Sequence, residues 1–181
     1  MPQYICEVTQ EVIEIVPLAT GDAAAVEQLL DRAFGADRHE RTAYKVRGAA
    51  RPIAALSFAA IENGRLIGSI QCWPVSLAGA DGDGAPLVMV GPVAVAPERQ
   101  RGGIGHDLMA HMLATAAREE LDGAMMLIGD PEYYGRFFGF SAERTAGWRL
   151  PGPVERHRLL ARGAAVPAGD GMLGPRLALA A

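Results

Sequence analysis

The apolar positions change their period several times along the chain. Val12, Ile13, Ile15 and Val16 make a β-branched run of the kind that favours extended backbone, so a first strand is expected over residues 11–18. Thr20-Gly21-Asp22 supplies residue types that cap helices, and Val26, Leu29, Leu30 and Ala33 then recur at the spacing of one helix face. The stretch 35–51 is polar and mixed, with a short helix expected at 42–46. Residues 53–61 and 66–75 read as strands joined at Asn63-Gly64, a hairpin pair whose members tolerate positive φ. Beyond the loop Asp81-Gly82-Asp83-Gly84, a valine-rich strand is expected at 87–95, ended by Pro97, which has no N–H to give a ladder.

Ile104, Leu108, Met112 and Ala116 step by four along one face, so a long helix is expected over 104–120 with Gly123 marking its end. A short buried strand follows at 124–128. Asp130-Pro131 opens a helix over 131–138, since proline suits the first helical position. Extended structure is expected from Phe140 through Trp148 and Leu150, and one more strand at 158–161 in a tail rich in Gly, Pro and Ala. The order β-α-(α)-β-β-β-α-β-α-β is an α+β order with a mostly antiparallel run before the long helix.

Composition narrows the function classes. A chain of 181 residues fits one domain spanning 1–181, and 50% apolar residues suffice for a core. The net charge of −4 comes with no basic stripe, which argues against a nucleic-acid partner. No run approaches the roughly 20 apolar residues of a membrane span, and the first residues lack a basic start followed by an apolar run, so neither a membrane partner nor a signal peptide is expected. Cys6 and Cys72 lie far apart with no CxxC, which reads as two reduced thiols in a cytoplasmic protein. No metal site is expected either. His106 and His111 would point about 140° apart on a helix. A calcium loop begun at Asp81 would need a glutamate where Pro92 stands.

The segment that carries chemistry is Val93-Ala94-Val95-Ala96-Pro97-Glu98-Arg99-Gln100-Arg101-Gly102-Gly103-Ile104-Gly105, where a buried strand runs through a glycine-rich turn into the long helix. The first N–H groups of a helix have no internal partners and sit at the positive end of its dipole. Glycines let a bulky anion approach that backbone. A phosphate or pyrophosphate site is therefore expected. The pattern is not G-x-x-x-x-G-K-[ST], and G-x-G-x-x-G fails because Leu108 stands at its last position.

This segment resembles the GNAT superfamily of acyl-coenzyme-A-dependent N-acyltransferases, through Gln100-x-x-Gly103-x-Gly105 following Val93-x-Val95-x-Pro97. Tyr133-Tyr134-Gly135-Arg136-Phe137-Phe138-Gly139-Phe140 extends the likeness, and Gly129-Asp130-Pro131-Glu132-Tyr133-Tyr134 resembles a motif of small bacterial predicted acetyltransferases. The resemblance implies an α+β GNAT fold, with a mixed, mostly antiparallel central sheet split in a V and flanked by helices. It implies acetyl-coenzyme A as cosubstrate and a primary amine, on a small molecule or a peptide, as acceptor. The backbone of Val93, Ala94 and Val95 would pair with the pantetheine arm. Gln100 opens the binding loop, and the N–H groups of Arg101, Gly102, Gly103, Ile104, Gly105 and His106 would hold the pyrophosphate, with the Arg101 side chain adding charge.

The Val95 amide would polarise the thioester carbonyl, and Tyr134, or failing it Tyr133, would protonate the departing thiolate. The family's tyrosine-to-Gly-Phe spacing is one residue shorter, so Phe137 or Phe138 is extra here. Residues 87–96 hold no acidic side chain; Glu40, His39 and Asp130 are left as bases acting through water. Many relatives are homodimers, although the sequence carries no interface signature. The alternative reading is a non-catalytic acyl-coenzyme-A-binding module of the same fold.

Overall fold

A computed structural model of the chain describes residues 12–18, 22–79 and 84–177. Among these there are eight strands: β1 (Ile13–Pro17), β2 (Phe58–Glu62), β3 (Arg65–Ala78), β4 (Gly84–Val95), β5 (Met125–Ile128), β6 (Trp148–Arg149), β7 (Leu159–Arg162) and β8 (Gly171–Pro175). The helices are α1 (Ala23–Phe34), α2 (Thr42–Arg47), α3 (Ile104–Arg118) and α4 (Pro131–Phe138). Expectations placed on Cys6, Glu11, Thr20-Gly21 and the 81–83 part of the loop lie outside the described residues.

The strands make one sheet with the main order β1-β2-β3-β4-β5-β7, and its pairs are antiparallel except β4 with β5 and, off that path, β6 with β8. Asn63, at φ 49, and Gly64, at φ 74, turn β2 into β3 in the left-handed region that asparagine and glycine tolerate. The edge of β3 that carries β2 over Arg65–Ile70 carries β8 over Val75–Ala78. The sheet is thus mixed, mostly antiparallel and flanked by helices, the α+β fold class read from the sequence.

Several local expectations are corrected. Residues 54–56 form a 3-10 turn and the strand starts only at Phe58. α3 ends at Arg118, short of Gly123, because Glu120 takes a positive φ of 56 and breaks the helical ladder. Asp22 stands at the N-cap of α1 but its side chain makes no capping hydrogen bond. Between Phe140 and Leu150 the chain is mainly turns, with Trp148–Arg149 its one strand and Ser141 a single bridge to Ala161, since Thr145 bonds locally to the carbonyl of Ala142 and sends the chain round. β8 was not anticipated at all; it pairs with β3 and β6.

The apolar faces follow from strand alternation. Leu108, Met109, Met112 and Ala116 of α3 are fully buried against Ile70, Cys72, Val88 and Val90. Each such large side chain contributes roughly 1.5–3 kcal/mol by leaving water. The opposite face carries Val46 of α2 with Trp73, Val75, Leu87, Met89 and Trp148. α1 seats Val26, Leu29 and Leu30 on Ala94 and Ala96. α3 can lie this close to β3 because position 68 lacks a side chain. A Cβ there would stand 2.9 Å from Ile104 Cγ2 and 3.1 Å from Leu108 Cδ1. Gly68→Ala should therefore lift the start of α3 from the sheet and cost about 1–3 kcal/mol, read as a lower urea midpoint in equilibrium unfolding.

Candidate active site

The site grows from an irregularity in β4. Ile70 pairs with Val93, yet Cys72 pairs with Val90, so β4 carries one residue more than β3 across this interval. The interruption is Gly91-Pro92, a cis peptide with Gly91 at φ 109. A bulge of one residue reverses the alternation of everything beyond it. Before it, Val88 and Val90 face the α3 side and Met89 the other; after it, Val93 and Val95 face the α3 side, and Ala94 and Ala96 pack on α1.

The amides reverse too. The Val88 N–H donates to the carbonyl of Ala124 at the β5 edge (2.9 Å), while the Ala96 N–H donates to Ile67 of β3 (2.8 Å). By alternation the N–H groups of Val93 and Val95 point away from β3, toward the β5 side. There, however, β5 is no longer a partner: its ladder with β4 consists of Val88↔Met125 and Met89↔Met126 alone. Leu127 and Ile128 are paired only on the other edge of β5, with β7. Beyond Met89 the two strands part and leave a wedge. Ala94 is fully buried on the α1 face, so only its neighbours present side chains to the wedge.

The turn Pro97–Arg99 is tied down before the glycine-rich loop begins. Arg32 of α1 donates to both carboxylate oxygens of Glu98, at 2.8 and 2.6 Å, and Arg99 pairs with Glu62 of β2. The bond from Arg32 holds the Glu98 carboxyl below its ordinary range. The first pair is exposed and the second half-buried, and what both supply is the position of the turn.

Gln100 lies on the wedge side, its amide Nε2 at 3.5 Å from the Val95 carbonyl. Arg101 at φ 69 and Gly103 at φ 82 then turn the chain into α3. The first internal bond of α3 runs from the Asp107 N–H to the Gly103 carbonyl (3.0 Å), which leaves the amides of Ile104, Gly105 and His106 without helical acceptors. Arg101, Gly102, Gly103 and His106 are exposed, and space beyond the missing Cβ of Gly103 is open. A Cβ on Gly105 would stand 3.6 Å from Val95 Cγ2, so this glycine brings the helix start against β4. Unpaired amides, a positive helix end and a side-chain-free approach together suit a phosphate-bearing group.

α4 supplies the aromatic wall. Asp130 caps it by accepting from the Glu132 N–H (3.0 Å), and Pro131 takes the first turn. The extra phenylalanine is absorbed by the last turn: Phe138 is buried in the core, Phe137 is 51% exposed beside His106, and Gly139 at φ 70 ends the helix. Tyr134 lies against Gly129 so closely that a Cβ there would be 2.4 Å from its Cε2. Burial first, then Tyr133 and Asp130, push the Tyr134 phenol up to about 12. Tyr133 meets Tyr134 edge-on at 5.1 Å, and burial raises its phenol as well.

Two cavities meet here. The smaller, about 240 Å³, is lined by Phe34, Val93, Val95, Gln100, Gly105, Met109, Tyr133 and Tyr134. The larger, about 860 Å³, extends from Val93 and Tyr134 between α2 and the wedge. Glu40 and Asp130 border the larger cavity, whereas His39 is not on its wall and stacks edge-on with Tyr44 at 5.0 Å. Sequence reasoning missed Phe34, Met109 and Arg47. The first two are apolar helix positions with no chemistry-bearing motif around them, and the third lay in a stretch with no pattern. Gly129 was noticed only as part of a motif.

A family model described as an acetyltransferase (GNAT) domain matches residues 14–142. Among solved structures, a GNAT family acetyltransferase from Brucella melitensis in complex with acetyl-CoA is 28% identical, with 86% of this chain and 98% of that one covered at a TM-score of 0.58. The GNAT family N-acetyltransferase YhbS from Escherichia coli, in complex with CoA, is 21% identical, with 92% and 89% covered at a TM-score of 0.70. The ribosomal-protein-S18-alanine N-acetyltransferase from Escherichia coli is 20% identical, with 87% and 97% covered at a TM-score of 0.52. Among curated proteins, none matched.

The raised phenol makes a stability prediction. In the folded chain Tyr134 keeps its proton from the ordinary 10.0 up to about 12. Over that interval the folded state binds more protons than the unfolded one, so stability falls as pH rises through it and is unaffected below it. Urea titrations at stepped alkaline pH should show this slope, and Tyr134→Phe should flatten it.

Proposed function

The chain belongs to the GNAT acetyltransferase domain family, and from that premise we propose that it moves an acetyl group from acetyl-coenzyme A to a primary amine by direct attack. The observation that carries the proposal is the wedge between β4 and β5, with unpartnered amides on one wall and a shielded tyrosine on the other. The acetyl-CoA and CoA held by the Brucella and Escherichia relatives support the choice of cosubstrate. The Gly129-Asp130-Pro131-x-Tyr133-Tyr134 run is our reason for placing the chain in the small bacterial branch.

When bound, the cosubstrate supplies an activated acyl thioester. The amides of Gly103, Ile104, Gly105 and His106 hold its diphosphate at the start of α3, and Arg101 adds a neighbouring positive charge. The N–H groups of Val93 and Val95 line up the pantetheine arm as an added strand does. Val95 donates to the carbonyl oxygen where negative charge develops. Tyr134, neutral throughout the physiological range, gives its proton to the sulfur as the C–S bond opens. The amine enters from the larger cavity, whose wall includes Glu40 and Asp130, our candidates to take its proton through water. Of the two tyrosines, Tyr134 is our choice because it borders both cavities.

The test is a thiol-release screen with primary amines together with calorimetry. Tyr134→Phe should lower kcat by about 100-fold while acetyl-coenzyme A affinity stays unchanged. Equal turnover in the variant would remove Tyr134 from the acid role. Coenzyme uptake without release by any amine would favour a binding module.

A further inference from the structure

The larger cavity has far more room than an amine needs. Its volume of about 860 Å³ lies within the roughly 300–1,000 Å³ of sites that enclose whole small molecules. Part of its wall is apolar: Met89, Val90, Leu127, Ile128 and Val154. Two buried arginines also belong to it, and their circumstances differ.

Arg38 is 1% exposed and fully answered. Its guanidinium donates to Asp31 Oδ1 (2.8 Å), to Glu27 and to the Tyr44 hydroxyl (2.5 Å). Arg47, at the end of α2, is 8% exposed and has no carboxylate partner among the described residues. It lies over the ring of Tyr44, 3.8 Å from guanidinium carbon to centroid, and over Trp73 at 4.0 Å. Tyr44 is also a side-chain hydrogen-bond partner of the guanidinium, but its Nη1 is buried with no hydrogen-bond partner among the described residues. Aromatic faces offset only part of what a cation loses on leaving water, and a buried polar N–H without an acceptor is strongly unfavourable. Burial accordingly weakens the hold of Arg47 on its proton. A planar fork of donors, fixed by two rings and short of an acceptor, is the arrangement that recognises a carboxylate.

We propose that the acceptor is an amine that also carries a carboxylate, seated at Arg47 with its amine toward Tyr134 and its apolar body along Met89, Leu127 and Ile128. This rests on the amine-acetylation reading above and narrows its substrate class to an apolar amino acid or short peptide. The remaining charges favour a zwitterion. Glu40, Asp130 and Glu155 border the same cavity beside Arg41 and Arg158, so the wall offers anions to the ammonium end of such a molecule and cations to its carboxylate end.

The test uses the full chain and a panel of leucine, phenylalanine and their dipeptides, each beside its carboxyl-terminal amide. Binding to the coenzyme-A-loaded protein is read by calorimetry, and turnover by thiol release with acetyl-coenzyme A. The acids should bind, and be turned over where turnover occurs, at least about tenfold better than their amides, as for loss of one charge-assisted contact. Arg47→Met should abolish that preference and leave amide binding and coenzyme affinity as they were. Arg47→Lys should keep part of it. The wild-type comparison of acid with amide decides the matter even if the variants unfold. Amides binding as well as acids, no binding of any acid, or an Arg47→Met loss shared equally by both would overturn the proposal. Acids that bind better than amides, with no thiol released by any amine, would retain the carboxylate site and remove acetylation.

Discussion

The parting of β4 from β5 after two parallel pairs is the constraint on which everything else rests. A parallel pair inside an α/β layer ordinarily continues, because an unpaired amide away from water costs about 1–3 kcal/mol. Here continuation is prevented locally. Gly91 adopts a φ of 109, Pro92 has no N–H to offer, and the extra residue turns the odd-numbered amides outward. β5 keeps its other edge fully paired, since β7 pairs with all four of its residues. The chain thus keeps a sheet edge open in its own interior, and an open edge is a template for any extended group that can hydrogen-bond to it.

The helix start belongs to the same geometry. β4, α3 and β5 form a strand-helix-strand unit with parallel strands, so α3 begins at the carboxyl end of β4, where the strands have separated. Ligands of open sheets collect at such ends because strand termini and helix amides converge there. Two close approaches bring the helix end to the wedge: Gly68 beneath Ile104 and Leu108, and Gly105 beside Val93 and Val95. The apolar stripe of α3 holds the remainder of the helix down, so the free amides are presented by a rigid element.

Much of this was legible because it depends on neighbours in sequence. The β-branched runs, Asn63-Gly64, the four-residue step of Ile104, Leu108, Met112 and Ala116, and the glycine-rich turn all signal structure within a dozen or so residues. What escaped depends on distant partners. β8 reads Gly-Met-Leu-Gly-Pro, poor in strand-forming residues, and becomes a strand only because β3 offers Leu77 to Leu173 and Ala78 to Met172. The Gly91-Pro92 bulge lay inside an expected continuous strand, and its effect on amide direction needs the register with β3. Arg47 was invisible for the same reason. Nothing in a polar stretch tells that Trp73, from β3, will close over it.

The acidity of the proposed proton donor poses one chemical question. A phenol raised to about 12 is a far weaker acid than an ordinary thiol near 8.5, so giving its proton to a thiolate looks uphill. The comparison holds in water, not in the wedge. The dryness that destabilises the Tyr134 phenolate also destabilises a thiolate placed beside it. Cys72, buried in the same sheet, illustrates the direction of that effect on sulfur, its thiol pushed up to about 12 by desolvation. A leaving sulfur in surroundings of similar dryness matches the phenol, and proton transfer between matched partners is where general acid catalysis works best. Asp130 strengthens the case from the other direction: its carboxylate raises Tyr134 further and keeps the phenol protonated until the sulfur develops charge. A more exposed tyrosine would ionise more readily, but it would face a thiolate stabilised by water and in no need of its proton.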